Sequence, residues 1–252
     1  MNLTFLGCGG AFGTGGRFNT CFHVSTAEGA FLIDCGASSL IAMRKFGVEP
    51  NDIRTIFISH LHGDHFGGLP FFLGEARFYS RRTGPLTIAG PAGLRERLNT
   101  TMEALYPGST QREFKFAIDV REIETGRTHE INGVRVTPFK VAHSAGAPPY
   151  ALRLECEGKI IAYSGDTEWT DALIDAGRGA DLFIVECLMA ERRVKFHMDY
   201  PTLAQNLPRA GARRVILTHL GPEMLAHLSP EMLACRGQIP EEIAEDGKVV
   251  EL

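Results

Sequence analysis

The sequence predicts an α/β layered protein, two β-sheets packed together with helices over their outer faces, and three observations predict it. Short apolar, β-branched runs recur in two groups, one on each side of the middle of the chain. Helix-like stretches lie between these runs, which favours stacked layers over separate all-α and all-β pieces. The chain has 252 residues, 44% of them apolar, and no Pro-, Gly- and Ser-rich linker divides it, so residues 1–252 read as one domain with one sizeable core.

The first group of strand-like runs covers residues 3–6, 21–24, 31–33, 55–58 and 86–89, and the second covers 134–141, 150–154, 159–163, 182–185 and 214–217. Residues 38–46, 92–106, 170–176 and 202–210 have helix-like composition, several with Ser, Thr or Pro at the start. Glu157-Gly158 and Asp246-Gly247 each sit between strand-like runs and read as tight hairpin turns. Residues 110–127 are charged and read as an exposed strand or a loop.

Composition narrows the function. Charged residues make up 22% of the chain, which is ordinary for a globular protein, and the net charge of −4 comes with no basic stripe. Long nucleic acids are therefore not the expected partner. Six cysteines (Cys8, Cys21, Cys35, Cys156, Cys187, Cys235) show no CxxC pair and no regular spacing, so no disulfide framework is expected. Residues 1–7 lack a basic segment followed by a long apolar stretch, and no window of 18 apolar residues occurs. The expectation is a cytoplasmic protein with reduced thiols and no membrane association.

The chemistry begins at His60-Leu61-His62-Gly63-Asp64-His65, which packs three imidazoles and a carboxylate into six residues directly after the strand-like run 55–58. Residues i and i+2 of an extended segment point the same way, so His60 and His62 can grip one ion together. Asp64 and His65, displaced past Gly63, are free to reach a second. Imidazole and carboxylate suit Zn²⁺, with Mn²⁺ or Fe²⁺ as alternatives, and the lack of cysteine argues against a closed structural zinc site.

Two ions sharing a hydroxide need about three protein ligands each, so more should lie downstream. His143, Asp166 and His219 each follow a strand-like run, and Ser144-Ala145-Gly146 leaves room beside His143. Loops at strand ends of layered α/β folds converge on one edge, where such residues could meet.

These residues, in this order and with Leu32-Ile33-Asp34-Cys35-Gly36 upstream, resemble the metallo-β-lactamase fold superfamily over nearly the whole chain. The resemblance implies a four-layer αββα sandwich of two mixed β-sheets with outer helices. It also implies two divalent metal ions: His60, His62 and His143 on one, Asp64, His65 and His219 on the other, and Asp166 bridging. Asp34 matches an aspartate that supports a ligand without binding metal itself, which makes sense because an imidazole ligand needs its other nitrogen fixed. The reaction implied is hydrolysis by a metal-bound hydroxide, and a homodimer is suggested by the same resemblance.

Which bond is cleaved must come from other residues. Glu186, eleven residues before His197, resembles the Glu and His motif of tRNase Z-like phosphodiesterases, in which the histidine meets the scissile phosphate and the glutamate orients it. An alkoxide leaving group needs such an acid. The alternative, Glu186 as a salt-bridge partner at a strand end and His197 as a loop residue, stays open here. Residues 7–17 are rich in glycine and are similar to the first loop of tRNase Z relatives, where backbone N–H groups can approach an anion; a flexible hairpin is the other reading. Gly13 and Asn19 in or beside that loop, and Ser144 and Thr167 beside two ligands, are candidates for lining the substrate or backing a ligand.

One departure from the tRNase Z pattern is informative. True tRNase Z enzymes insert a long tRNA-gripping arm between the residues matching His143 and Asp166, and only 22 residues separate them here. Asp34-Cys35-Gly36-Ala37 also departs from the glutamate that often follows the glycine in tRNase Z enzymes. The expected substrate is thus a small or exposed phosphodiester, such as a cyclic nucleotide or short nucleotide. Hydrolysis of a thioester, lactone or lactam is the alternative, and tRNA 3′-end cleavage or non-catalytic anion binding rank below it.

Overall fold

Both strand groups form sheets in the computed structural model, which describes residues 1–228 and 241–252; Cys235 lies outside the described residues. The first sheet contains β1 (Asn2–Gly7), β2 (Cys21–Thr26), β3 (Gly29–Ile33), β4 (Ile53–Phe57), β5 (Leu86–Gly90) and β6 (Ile118–Glu122), closed at one edge by β14 (Val249–Glu251). Its order is β14-β1-β2-β3-β4-β5-β6, antiparallel from β14 to β3 and parallel from β3 to β6.

The second sheet contains β7 (His129–Ile131), β8 (Val134–Lys140), β9 (Tyr150–Cys156), β10 (Lys159–Tyr163), β11 (Leu182–Glu186), β12 (Val215–Thr218) and β13 (Glu242–Ile243). It repeats the plan in the order β13-β12-β11-β10-β9-β8-β7, with the pairs from β7 to β10 antiparallel and those from β10 to β13 parallel.

Parallel neighbours require crossovers, and helices supply them. In the first half these are α1 (Ser39–Phe46), α2 (Gly63–Phe66), α3 (Leu69–Phe78) and α4 (Leu94–Leu105). In the second they are α5 (Ala172–Gly177), α6 (Tyr200–Asn206) and α7 (Pro222–His227). The buried side chains fall into three groups. One, including Phe5, Phe22, Phe57, Leu152, Tyr163 and Ile184, lies between the sheets. A second joins the first sheet to its helices through residues such as Ile56, Ile88, Phe72 and Leu98, and a third joins the second sheet to its own through Phe183, Leu173 and Leu203. Three apolar interfaces define four layers, which is the αββα sandwich expected. Every residue of β5 and β11 is buried, so these central parallel strands read as continuous apolar runs instead of alternating ones.

Four segments depart from expectation or complete it. The Glu157-Gly158 turn does join β9 to β10 as a hairpin, with Cys156 paired to Lys159. Asp246-Gly247 forms a turn but no hairpin, because β13 pairs in the second sheet and β14 in the first. Its role is to carry the chain across the sandwich, and Asp246 anchors it: the carboxylate accepts from Cys8 N at 3.0 Å and Phe18 N at 2.8 Å, tying both ends of the glycine-rich loop to the chain's last strands. Residues 110–127 supply the edge strand β6, exposed on most of its residues. The helix expected at 202–210 begins earlier, at Tyr200, where the Asp199 side chain accepts from Thr202 N, and it tightens into a 3₁₀ turn over Leu207–Ala210. Among the described residues no helix is long and apolar enough to cross a membrane.

Candidate metal centre

The strands deliver the candidate residues to one rim of the sandwich. Asp34 follows β3, His60 and His62 follow β4, Asp64 and His65 ride on α2, His143 follows β8, Asp166 follows β10, Glu186 ends β11, and His219 follows β12. Among the described residues the donor atoms form four overlapping gatherings, two of which take in His197 and two of which hold the expected ligands. His60, His62 and His143 form one, and Asp64, His65, Asp166 and His219 form the other.

In the first gathering, His62 Nδ1 and His143 Nε2 stand 3.0 Å apart. His143 Nδ1 donates to the Phe196 carbonyl at 2.9 Å, a bond that leaves Nε2 with its lone pair facing the cluster. His60 Nδ1 meets Ser59 Oγ at 3.1 Å, which turns Nε2 inward in the same way. In the second, His65 Nδ1 donates to Asp34 Oδ2 at 2.7 Å, and its Nε2 lies 3.2 Å from Asp64 Oδ2 and 3.3 Å from Asp166 Oδ1. His219 Nε2 is 3.3 Å from both Asp64 Oδ2 and Asp166 Oδ2. Asp166 Oδ2 also comes within 3.8 Å of His60 Nε2 and 3.9 Å of His143 Nε2, so this one carboxylate faces both gatherings.

Buried polar atoms are ordinarily paired, and here His60 Nε2, His65 Nε2 and Asp166 Oδ1 are buried with no hydrogen-bond partner. All three aim into the cluster. Unpaired imidazole nitrogens and a carboxylate oxygen, converging without cysteine, fit divalent cations. His219 Nδ1 is likewise without a hydrogen-bond partner, so no hydrogen bond fixes this ring from its far side.

The backbone is bent to reach this arrangement. Asp34 and His219 adopt left-handed conformations, with φ of 59° and 57°, which cost non-glycine residues about 1–3 kcal/mol each. Each is pinned by its own N–H, Asp34 to the Phe57 carbonyl at 2.8 Å and His219 to the Cys8 carbonyl at 3.0 Å. Asp34 also accepts from Ser59 N and Ser59 Oγ, both at 2.7 Å, so one buried carboxylate orients His65 and the residue before His60. Asp34→Ala is therefore expected to weaken metal affinity by ~10–100-fold. Competition with a chromogenic chelator measures this, and unchanged affinity would remove Asp34 from the support of His65.

Gly10 contributes by having no side chain. A Cβ there would lie 2.7 Å from His219 Cε1 and 2.8 Å from Nε2, and the loop is held in place by Asn19 Nδ2 donating to the Gly10 carbonyl at 2.9 Å. Asn19 thus acts on the loop and through it on His219. Gly13, with φ of 62°, closes the turn that follows Gly10, its N–H donating to the Gly10 carbonyl at 3.3 Å. Ser144 is exposed beside His143. Thr167 is buried, its N–H donating to Glu186 Oε1 at 2.6 Å and its hydroxyl accepting from Ala142 N at 3.1 Å.

Charge explains why such a cluster wants cations. Burial alone would lower His219, but Asp166 and Asp64 raise it to about 9, and Asp166 and Asp64 likewise hold His65 above its ordinary value. His60, facing mainly other imidazoles, is pushed down by burial. Protons on His65 and His219 thus balance the carboxylates before metal arrives, and metal must displace them. Because the protonated form of His219 persists below about pH 9 and that of His65 is likewise favoured, metal affinity is expected to rise with pH from neutrality, with net proton release at pH 7. Calorimetric titration in buffers of different ionisation enthalpy measures the release.

Beside the cluster, His197 Nδ1 stands 3.1 Å from Glu186 Oε1. Its ring packs 5.0 Å from His143 and stacks 5.7 Å from His219, so it lies against both gatherings. Burial raises the Glu186 carboxyl. Burial would lower His197, yet the hydrogen bond and charge of Glu186 raise it. The structure thus joins the two residues that the sequence placed eleven apart. Sequence reasoning did not find Ser59, Cys8, Asp246 or the Phe196 carbonyl; each acts through a backbone atom or a distant partner, which no residue pattern displays.

A mixed-sheet αββα sandwich with a His and Asp cluster at the rim of its two sheets defines a metal-dependent hydrolase of the metallo-β-lactamase fold. Solved structures agree: human tRNase Z, short form, superposes with a TM-score of 0.79 at 25% identity, covering 100% of this chain and 99% of that one. The metallo-β-lactamase fold protein YhfI of Bacillus subtilis gives 0.77 at 21% identity, covering 99% of each. Ribonuclease Z of Agathobacter rectalis is 28% identical over 280 residues, covering 89% of each chain. A family model described as Anti-Pycsar protein Apyc1 matches residues 1–233, and the chain belongs to that family.

Proposed function

We propose that this protein is a two-metal, zinc-loaded phosphodiesterase acting on a small or exposed phosphodiester, a cyclic nucleotide or a short nucleotide. In this reading His60, His62 and His143 hold one ion, Asp64, His65 and His219 the other, and Asp166 spans both. Residues 1–252 act as one domain, because each sheet supplies ligands to the same rim. The observation that carries the reading is the Glu186–His197 pair, an imidazole backed by a buried carboxylate and packed against ligands of both gatherings.

Divalent ions bound there would supply hydroxide at neutral pH and positive charge for the scissile phosphate. The chain's own part is the leaving group. With Nδ1 turned to Glu186, Nε2 is the nitrogen left for substrate, and the hydrogen bond and charge of Glu186 favour the protonated ring against the effect of burial. It can therefore donate to an alkoxide as the P–O bond breaks, while Glu186 steadies the charge on the ring.

Three features support a small substrate. Residues 141–149 alone connect β8 to β9, and a tight turn connects β9 to β10, so no arm stands between His143 and Asp166. The match to the Agathobacter ribonuclease Z runs over 280 positions, more than this chain's 252 residues, so that relative carries residues this chain lacks. The net charge of −4 adds no attraction for a long polyanion.

The test is turnover by fully metallated protein of bis(p-nitrophenyl) phosphate and cyclic nucleotides, set against thioesters, lactones and a tRNA precursor. Phosphodiester cleavage with the precursor left intact is expected. Rapid thioester or lactone cleavage without phosphodiester turnover would replace the proposal. His197 also gathers with His143 and Asp166. Loss of metal in His197→Ala would make it a ligand instead of an acid.

A further inference from the structure

His197 needs more than its contact with Glu186. It sits in the stretch between β11 and α6, and an imidazole carried by a loop is only as well placed as the backbone beneath it. The preceding residue, Phe196, has φ of 71°, a left-handed conformation that a bulky side chain disfavours. Something must hold it there. Its carbonyl accepts from His143 Nδ1 at 2.9 Å, and its N–H donates to Glu168 Oε2 at 3.3 Å. The peptide groups flanking Phe196 are thus stretched between an imidazole of the metal cluster and a carboxylate.

We propose that Glu168 is a positioning residue for His197, acting through the Phe196 backbone; the inference rests on His197 being the leaving-group acid. Glu168 is well anchored for this task. Its N–H donates to the Ala142 carbonyl at 3.3 Å, its carbonyl accepts from Thr167 Oγ1 at 2.5 Å, and Ala142 precedes His143. Three consecutive residues after β10 therefore serve three parts of one device. Asp166 faces the metal ligands, Thr167 donates to Glu186 at 2.6 Å, and Glu168 receives the Phe196 N–H. Glu186 fixes the ring of His197, and Glu168 fixes the chain that carries it. A shift in either spoils the aim at the leaving oxygen.

The proposal separates acid placement from metal binding, and so does its test. Glu168→Ala and Glu168→Gln are compared in metallated protein; the glutamine keeps an acceptor oxygen and the alanine removes it. Glu168→Ala is expected to lower turnover of a cyclic nucleotide, whose leaving group is an alkoxide, by ~10–100-fold. It should slow bis(p-nitrophenyl) phosphate far less, since p-nitrophenolate leaves without an acid. Metal content should stay at the wild-type level, and Glu168→Gln should recover most of the lost rate. Amide hydrogen exchange of a peptide spanning residues 189–198 should quicken in Glu168→Ala and not in Glu168→Gln. Equal losses on both substrates, or loss of metal, would overturn the proposal by assigning Glu168 to the metal centre or to general stability. If wild-type protein cleaves neither phosphodiester, the proposed function itself fails, and unchanged exchange in Glu168→Ala then removes the positioning role as well.

Discussion

Asp166→Ala is expected to strip the centre of metal and to abolish turnover. Among the described residues Asp166 is the one carboxylate within 4 Å of His60, His65, His143 and His219 together, and it is buried. Removing it leaves five imidazoles with Asp64 as the only carboxylate among the proposed ligands. Two dications brought into that cavity would then face each other with one negative charge fewer, in a medium where charge is poorly screened. Loss of several kcal/mol of transition-state stabilisation corresponds to a rate reduction of ~10³-fold or more. Elemental analysis together with bis(p-nitrophenyl) phosphate turnover measures both effects. Asp166→Asn, which keeps the shape and one coordinating oxygen, should retain more metal than the alanine variant while remaining slow. Two equivalents of metal with near-normal turnover in either variant would remove Asp166 from the bridging position.

Much of this centre is legible in the sequence because local spacing and strand ends encode it. His60 to His65 are dense enough to stand out alone, and His143, Asp166 and His219 repeat one pattern, a ligand-type residue directly after an apolar run. Strand ends meet at a rim in any layered fold of this kind, so the repetition carried real geometric content. What supports the ligands is a different matter. Asp246 reaches Cys8 and Phe18 across more than 200 residues, and it accepts from backbone N–H groups that every residue type possesses. Glu168 likewise binds a backbone N–H. Nothing in the neighbouring sequence marks either carboxylate.

The fold shows the same division. Asp246-Gly247 has the composition of a hairpin turn, but turn chemistry says only that the chain reverses, and which strands pair is settled by distant partners. Phe5 N donates to the Lys248 carbonyl at 2.9 Å, and Gly247 N to the Phe5 carbonyl at 2.7 Å, so the segment after the turn is claimed by β1. Helix α3 escapes pattern reading for another reason. Leu-Pro-Phe-Phe-Leu-Gly is apolar on several faces, with Phe71 partly exposed beside buried Phe72, so no amphipathic period separates core from surface.

His197→Ala is expected to give the second large effect, and one of a different kind. Metal content should be unchanged, because in the proposed arrangement the seven ligands are complete without it. Turnover of a cyclic nucleotide should fall by ~10²–10⁴-fold, the range a positioned general acid supplies. The loss on bis(p-nitrophenyl) phosphate should be much smaller, because its leaving group is stable as an anion. The dependence on pH provides a second, independent reading. An acid must be protonated to act, so wild-type turnover of the poor leaving group falls as pH rises through the pKa of His197, which Glu186 raises above its ordinary value against the effect of burial. Glu186→Gln removes the charge that does this while keeping an acceptor for Nδ1, so the alkaline limb should move to lower pH without a matching loss of metal. In His197→Ala the same limb should vanish. A limb that survives the alanine substitution would place the titrating group elsewhere, and a substrate-independent loss would reduce His197 to a binding residue. The contrast with Asp166 is the point of comparing them: one substitution should silence every substrate by removing the ions, and the other should be read through the chemistry of the group that leaves.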